Sequence, residues 1–197
     1  MSRDDETIGE LLRAMTVTVE SPDGNIWARV HDYTQVLLGF HPWTFDRYDE
    51  STLAYQLSRL GILTWVAWSR ERTELYRRSL NLSTEEAQRA EQTDDPHRRR
   101  YQAELEAIEA HGVSAHGTLR VHTVGMLQWQ VDIEPGALRR LGEQPFLGEI
   151  HSAFEALMRD RERKIITLKG DYFDLGVPRR WLDVMNEARA INRRGRG

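Results

Sequence analysis

The chain has 197 residues, no cysteine and a formal net charge of −4. These values exclude disulfides and cysteine-based zinc sites and argue against a strongly basic nucleic-acid-binding domain. There is no run of about 18 apolar residues, so no membrane span is predicted. The acidic start lacks the apolar stretch of a signal peptide, which predicts a cytoplasmic location.

Three antiparallel strands are predicted near the start of the chain. The first is Thr16–Glu20, in which apolar and polar residues alternate with a period of two. Pro22, Asp23 and Gly24 form a turn, in which glycine can adopt a positive φ angle. Residues 25–31 and 35–40 are predicted to form the second and third strands.

A long helix is predicted from about residue 51 to residue 80. Apolar residues in its middle point in every direction around the axis, which is typical of a helix buried on all sides. A second copy of the fold or another protein would have to cover them, and any that stay exposed are candidate protein-interface residues. These residues are Leu60, Ile62, Leu63, Trp65, Val66 and Trp68.

A charged connector with two helices is predicted next. Residues 83–86 (STEE) form a capping box that begins the first of them. Asp95 and Pro96 begin the second, because a capping residue followed by proline is typical of a helix start. This helix is predicted to present Tyr101, Leu105 and Ile108 on one face and to end at His111 and Gly112.

The pattern of strands followed by a long helix then returns. Strands are predicted at 118–123 and 127–133, the second with inward-facing apolar residues at Leu127, Trp129, Val131 and Ile133. The helix after them carries an apolar stripe of Phe146, Ile150, Ala153 and Leu157. A last amphipathic helix is predicted from about residue 178, followed by a disordered basic tail.

An internal repeat explains this order. Sliding the chain by 93 positions aligns the strands, turns and helices of the two halves without a gap, and a single offset over so many positions argues against chance. Matched positions include Ser21 with Ser114, Gly24 with Gly117, Pro42 with Pro135 and Leu57 with Ile150. The predicted fold class is α+β, with two tandem copies of a helix, a three-stranded antiparallel sheet and a long helix. The predicted units are 1–82, 83–170 including the connector, and the C-terminal segment 171–197.

The residues of both halves resemble the YbaB/EbfC family of nucleoid-associated proteins. The resemblance is carried in the first half by residues 17–24 (VTVESPDG) and the helix at 53–57 (LAYQL), and in the second by residues 130–138 (QVDIEPGAL) and the helix at 146–158. Family chains are about half this length and form homodimers, so the resemblance implies a covalently joined pseudo-dimer. The duplication, the acidic balance and the tryptophans of the first long helix depart from the family pattern.

The resemblance implies sequence-unspecific binding of double-stranded DNA, with arginine clusters as the candidate contacts. The alternative is that acidic residues between these arginines neutralise the clusters, which are then solvated helix faces that do not bind DNA. The candidates are Arg70, Arg72, Arg77 and Arg78 at the end of the first long helix, Arg98, Arg99 and Arg100 at the start of the connector helix, Arg159, Arg161, Arg163 and Lys164 at the end of the second long helix, and Arg193, Arg194 and Arg196 in the tail.

The alternative is a protein-binding scaffold or accessory factor without DNA binding. Relatives of the family occur beside type VII secretion systems, so the resemblance also implies this role. Under this hypothesis another protein binds through the first long helix. Further self-association of the chain is a separate expectation.

No catalytic or cofactor motif is present. The sequence contains no GxGxxG, Walker, HExxH or G-x-S-x-G pattern. His111 and His116 are predicted to be loop residues without a carboxylate to complete a metal site. Asp171 and Asp174 are predicted to cap a turn. The chain is therefore predicted to be a non-enzymatic protein without a cofactor or metal.

Overall fold

The computed structural model describes residues 8–31, 35–79 and 95–172. The first unit contains a short helix, three strands and a long helix. They are α1 (Ile8–Ala14), β1 (Thr16–Glu20), β2 (Ile26–His31), β3 (Gln35–Phe40) and α2 (Glu50–Ser79), with a single 3-10 turn at Phe45–Arg47. The predicted capping box at 83–86, the last amphipathic helix and the basic tail lie outside the described residues.

The second unit repeats this order after a connecting helix. Its elements are α3 (Pro96–Glu106), β4 (Glu109–Val113), β5 (Leu119–Val124), β6 (Gln128–Ile133), α4 (Ala137–Leu141) and α5 (Glu143–Tyr172). The α3 helix begins as predicted, because the Asp95 carboxylate accepts a hydrogen bond from the His97 N–H at 3.0 Å and Pro96 occupies the first turn.

The internal repeat is confirmed. Each strand of the second unit begins and ends 93 positions after its counterpart in the first, and α5 stands in the same relation to α2. Both sheets are antiparallel, with the strand orders β1-β2-β3 and β4-β5-β6. The predicted α+β fold of two sheet-and-helix units is therefore correct.

Equivalent turns join the first two strands of each sheet. Gly24 and Gly117 have φ angles of 70° and 75°, which glycine adopts without a steric penalty. The Gly24 N–H donates to the Ser21 carbonyl at 2.8 Å, and the Gly117 N–H donates to the Ser114 carbonyl at 3.0 Å. The Ser-x-x-Gly pattern thus specifies the same turn twice.

The two units share one core. Helix α2 packs on β1 and β2 of its own sheet and on β6 of the other, and α5 packs on β4 and β5 of its own sheet and on β3 of the other. One buried cluster runs through both units and includes Ile26, Leu53, Leu119 and Phe146. The units therefore join through their long helices, each of which packs on the sheet of the other unit.

The prediction that the connector helix extends to His111 and Gly112 is wrong. Helix α3 ends at Glu106, and these two residues belong to strand β4, which the sequence analysis missed. Gly112 is required there because α5 passes close by: a Cβ atom on Gly112 would lie 2.1 Å from the Ala153 carbonyl oxygen. The glycine marks a close contact and not a helix end.

The second unit does not cover the first long helix on all sides. Leu60 and Trp68 are buried, whereas Leu63 and Val66 are 40% and 48% exposed. The sheets cover one side of α2 only, so its opposite side faces solvent. Leu127 is likewise 54% exposed, because it lies in the turn before β6 and not in the strand.

Among the described residues, no helix combines the length and the apolar character that crossing a membrane requires.

Candidate functional site

A large groove lies where the two units meet, and we call it the central groove. It encloses about 550 Å³ and is walled by the inner faces of both sheets and by helices α2, α3 and α5. Its lining is mostly apolar and includes Val36 and Leu38 from the first sheet and Val121 and Trp129 from the second. Grooves of this size and character are typical of binding sites.

Trp129 reaches the groove because α2 has a glycine opposite it. A Cβ atom on Gly61 would lie 2.7 Å from the Trp129 ring, so only glycine allows this contact. The Trp129 Nε1 donates a hydrogen bond to the Met126 carbonyl at 2.7 Å, which fixes the ring. In the repeat, Gly61 is equivalent to Phe154 and Trp129 is equivalent to Val36. The bulky residue of the first pair of positions is therefore on the helix of the second unit, and that of the second pair is on its strand.

A stack of two tryptophans and two arginines forms one side of the groove, and we call it the Trp–Arg stack. The rings of Trp65 and Trp68 lie 5.3 Å apart and nearly parallel. The Arg161 guanidinium lies 4.9 Å from the Trp65 ring, and that of Arg72 lies 4.9 Å from the Trp68 ring. Cation–π contacts of this kind hold both cations in place beside apolar surface.

The groove also has polar groups at its margin and one buried hydroxyl in its wall. Lys169, Gln102 and Glu106 join Arg72 in the lining. The Thr64 Oγ1 is buried without a hydrogen-bond partner among the described residues. A buried hydroxyl without a partner is costly and is available to a ligand.

The six predicted interface residues separate into two groups. Leu60, Trp65 and Trp68 line the central groove. Leu63 and Val66 are exposed on the opposite side of α2, and Ile62 is half-buried. Only the first group belongs to a concave surface. Trp129 and Leu105 line the same groove, which the sequence could not reveal because these contacts depend on how the units dock.

The arginines at the end of α2 are partly neutralised. Glu74 accepts hydrogen bonds from Arg77 at 2.6 Å and from Arg78 at 2.8 Å. These bonds outweigh burial and lower the pKa of Glu74 to about 2. Arg70 is exposed, whereas Arg72 belongs to the Trp–Arg stack.

The second long helix does not end in an arginine cluster as predicted. Helix α5 continues to Tyr172, whose ring packs against His97 and Tyr101 of α3. The cluster therefore lies in the middle of the helix, where Asp160 pairs with Arg163 at 3.4 Å and with Lys164 at 2.8 Å. Arg159 is exposed and Arg161 belongs to the Trp–Arg stack.

The remaining predicted cations are those of α3 and the tail. Arg98, Arg99 and Arg100 are all exposed in the first turns of α3. Arg193, Arg194 and Arg196 lie outside the described residues. Among the described cations, Arg77, Arg78, Arg163 and Lys164 are thus paired with carboxylates.

The prediction that His111 is a loop residue is wrong, whereas that for His116 is confirmed, and both histidines have a carboxylate nearby. His111 lies in β4, where its ring stacks on that of His122 with 4.4 Å between centroids. Glu109 lies near both histidines. His116 is in the turn as predicted, but its Nδ1 lies 2.6 Å from the Glu149 carboxylate. Asp171 is in the last turn of α5 and Asp174 is outside the described residues.

Comparisons with known proteins give no family assignment. No family model, no curated protein and no solved structure matches the chain. The resemblance to the YbaB/EbfC family therefore stays a prediction, and the geometry of the groove is the principal guide to function.

Proposed function

We propose that the chain is a non-enzymatic protein-binding module, which holds an apolar segment of an acidic partner protein in the central groove. The observation that carries the proposal is the groove itself, an apolar space of about 550 Å³ bounded by both units. An amphipathic helix commonly binds by placing its apolar face in such a groove. No cofactor and no catalytic group is part of the proposal.

The charge at the margin favours an acidic partner. Arg72, Arg161 and Lys169 line the groove, and Glu106 is the single carboxylate among the described lining residues. The tryptophans hold two of these cations in position before binding, so less side-chain entropy is lost when a carboxylate arrives. Opposite charges across an interface also speed association and exclude wrong partners.

The test uses a fluorescent amphipathic peptide of about 16 residues, with leucine at helical spacing and glutamate elsewhere. We expect saturable binding that quenches or shifts the emission of the groove tryptophans. A peptide with lysine in place of glutamate should bind more weakly, because the margin is cationic. Equal binding of the two peptides would contradict the acidic-partner proposal.

Variants locate the binding surface. Arg72→Glu/Lys169→Glu should weaken binding at least about 10-fold, which corresponds to ~1.4 kcal/mol. Thr64→Leu should also weaken it by filling the groove without a change of charge. Leu63→Ala/Val66→Ala, on the exposed side of α2, is the matched control and should bind like the unchanged protein. Loss of binding only in this control would place the interface on the outer side of α2.

The second candidate function is DNA binding, as the family resemblance implies. The observation in its favour is the exposure of three consecutive arginines, Arg98, Arg99 and Arg100, at the start of α3. Binding of this kind would depend on phosphate contacts and would be lost steeply between about 50 and 200 mM salt. The role of an accessory factor of a secretion system, further self-association and a cytoplasmic or nucleoid location also stay proposals.

A gel-shift experiment with random duplex DNA at ~50 mM salt separates the two functions. The protein-binding proposal expects no shift, and expects excess DNA to leave peptide binding unchanged. A shift that Arg98→Ala/Arg99→Ala/Arg100→Ala abolishes, together with no peptide binding, would favour DNA as the ligand.

A further inference from the structure

The outer face of the second sheet carries two histidines and a glutamate in one small area. Glu109 and His111 are two residues apart on β4, so they point to the same side of the sheet. His122 is directly opposite His111 in the pairing of β4 with β5. Each of the three side chains offers one possible ligand atom, and these three atoms all lie within 4.8 Å of one another.

We propose that Glu109, His111 and His122 bind a divalent transition-metal ion, with Zn²⁺ as the best match. Two imidazoles and one carboxylate are a common set of protein ligands for Zn²⁺, with the fourth position left to water or another ligand. Zinc ligands lie about 2.0–2.2 Å from the ion, so two ligand atoms of one ion are at most ~4.2 Å apart. Small side-chain rotations would bring the three ligand atoms of this cluster within that distance. Mg²⁺ prefers oxygen ligands in octahedral geometry and does not suit it.

An unsatisfied nitrogen supports the proposal independently. The His122 Nε2 is shielded from solvent and has no hydrogen-bond partner among the described residues. A buried polar atom without a partner costs free energy. A bound metal ion would give the His122 ring the missing partner, either at Nε2 or, after the ring flips, at Nδ1. The stacked His111 ring does not supply such a partner.

The strands that carry the ligands are held firmly. The Lys164 ammonium donates to the Glu109 carbonyl at 2.7 Å and to the Asp160 carboxylate at 2.8 Å. The His111 N–H donates to the same carboxylate at 3.1 Å. These bonds tie β4 to α5 close to the ligands, so little ordering of the backbone is needed when an ion binds.

The first unit provides an internal comparison. The positions equivalent to His111 and His122 are Thr18 and Arg29, and the Arg29 Nε donates to the Thr18 Oγ1 at 3.3 Å. The same place in the repeated sheet is therefore occupied by a hydrogen-bonded pair that has no affinity for metal ions. The cluster is a feature of the second unit alone and is not a consequence of the fold.

The experiment is calorimetric titration of the tag-free full chain with ZnCl₂, and with MgCl₂ as a control ion. We expect one Zn²⁺ per chain and no heat from Mg²⁺. Changes in groups around metal ligands typically cost ~10–100-fold in affinity, so His111→Thr/His122→Arg should cost at least about 10-fold. This variant installs the residues that the first unit already tolerates, and circular dichroism checks that it folds.

The matched control is His151→Ala, which removes an exposed histidine whose ring lies 3.2 Å from the Glu155 carboxylate. It should bind Zn²⁺ like the unchanged chain. The proposal is overturned if the unchanged chain binds no Zn²⁺, if His111→Thr/His122→Arg retains full affinity, or if His151→Ala loses it. Because the site is remote from the central groove, peptide binding should be the same in all three proteins.

Discussion

At the scale of single residues, the two units secure the same turn with different carboxylates. In the first unit Asp23 lies in the turn itself and accepts hydrogen bonds from the hydroxyls of Ser21 at 2.6 Å and Tyr48 at 2.5 Å. Burial and the bond to Asp23 raise the pKa of Tyr48 to about 12. In the second unit the carboxylate is Glu149 of α5, which accepts from the Thr118 hydroxyl at 2.6 Å.

Glu149 provides a prediction for acid conditions. Burial raises its pKa, but hydrogen bonds from His116, Ser114 and Thr118 outweigh this effect and lower the pKa to about 2. A group with a lowered pKa stabilises the fold above its ordinary pKa, here 4.5, and this contribution disappears as the pH falls toward 2. Glu149→Gln should therefore lose ~1–3 kcal/mol of unfolding free energy at pH 7, with a smaller loss at pH 3.

The measurement is urea unfolding at both pH values. Glu155→Gln, a change of an exposed glutamate on the same helix, is the control and should have little effect at either pH. Equal effects of the two substitutions at pH 7 would show that the bonds to the turn contribute nothing to stability. The sequence predicted the turn at Ser114–Gly117 but not this partner, because Glu149 is 31 residues beyond Thr118 and reaches it only through the packing of α5.

At the scale of elements, the sequence predicted most of the fold. Alternation identified β1 and β6, and the offset of 93 positions holds at both ends of every strand. Strand β4 was missed because its sequence, EAHGV, has a single β-branched residue and a glycine. Pairing with β5 and contact with α5 make it a strand, and such tertiary effects commonly override local propensity.

Two glycines of the second unit should respond oppositely to the same substitution. Gly112→Ala would place a Cβ atom 2.1 Å from the Ala153 carbonyl oxygen and 2.7 Å from the Leu157 nitrogen, and backbone atoms cannot rotate away. We expect a loss of ~1–3 kcal/mol or more in unfolding free energy, as for overpacking in a core. Gly148→Ala, in α5 with no atom within 4 Å of the new Cβ, should gain ~0.5–1 kcal/mol through helix propensity.

Urea unfolding of the two variants under one set of conditions measures both effects. If Gly112→Ala is as stable as the unchanged protein, then the close approach of β4 and α5 is not rigid. In that case the contacts that tie β4 to α5 beside Glu109, His111 and His122 would also hold these residues less firmly than proposed.

At the scale of the whole molecule, the groove could not have been predicted from the sequence. The tryptophans of α2 were recognised as unusual, yet the groove that they line also needs Trp129, which packs against Gly61 and lies 68 positions after it in the chain. The pattern of a single helix does not contain this information. A glycine at position 61 and a tryptophan at position 129 become complementary only when α2 crosses the sheet of the other unit.

The shared core leads to a prediction about cooperativity. Leu53 and Phe146 occupy equivalent positions in the two units, and both are fully buried in the cluster that spans them. Leu53→Ala should cost ~2–5 kcal/mol and Phe146→Ala ~3–5 kcal/mol. Because α2 packs on β6 and α5 packs on β3, a loss in either unit should destabilise both to the same extent.

Native-state hydrogen exchange measures this coupling strand by strand. In Leu53→Ala, the slowest amides of β5 in the second unit should exchange faster by the same factor as those of β2 in the first, because both open only when the whole molecule unfolds. Phe146→Ala should give the reciprocal result. Faster exchange confined to the substituted unit would mean that the units unfold separately, and a groove between separately unfolding units would not be a preformed binding site.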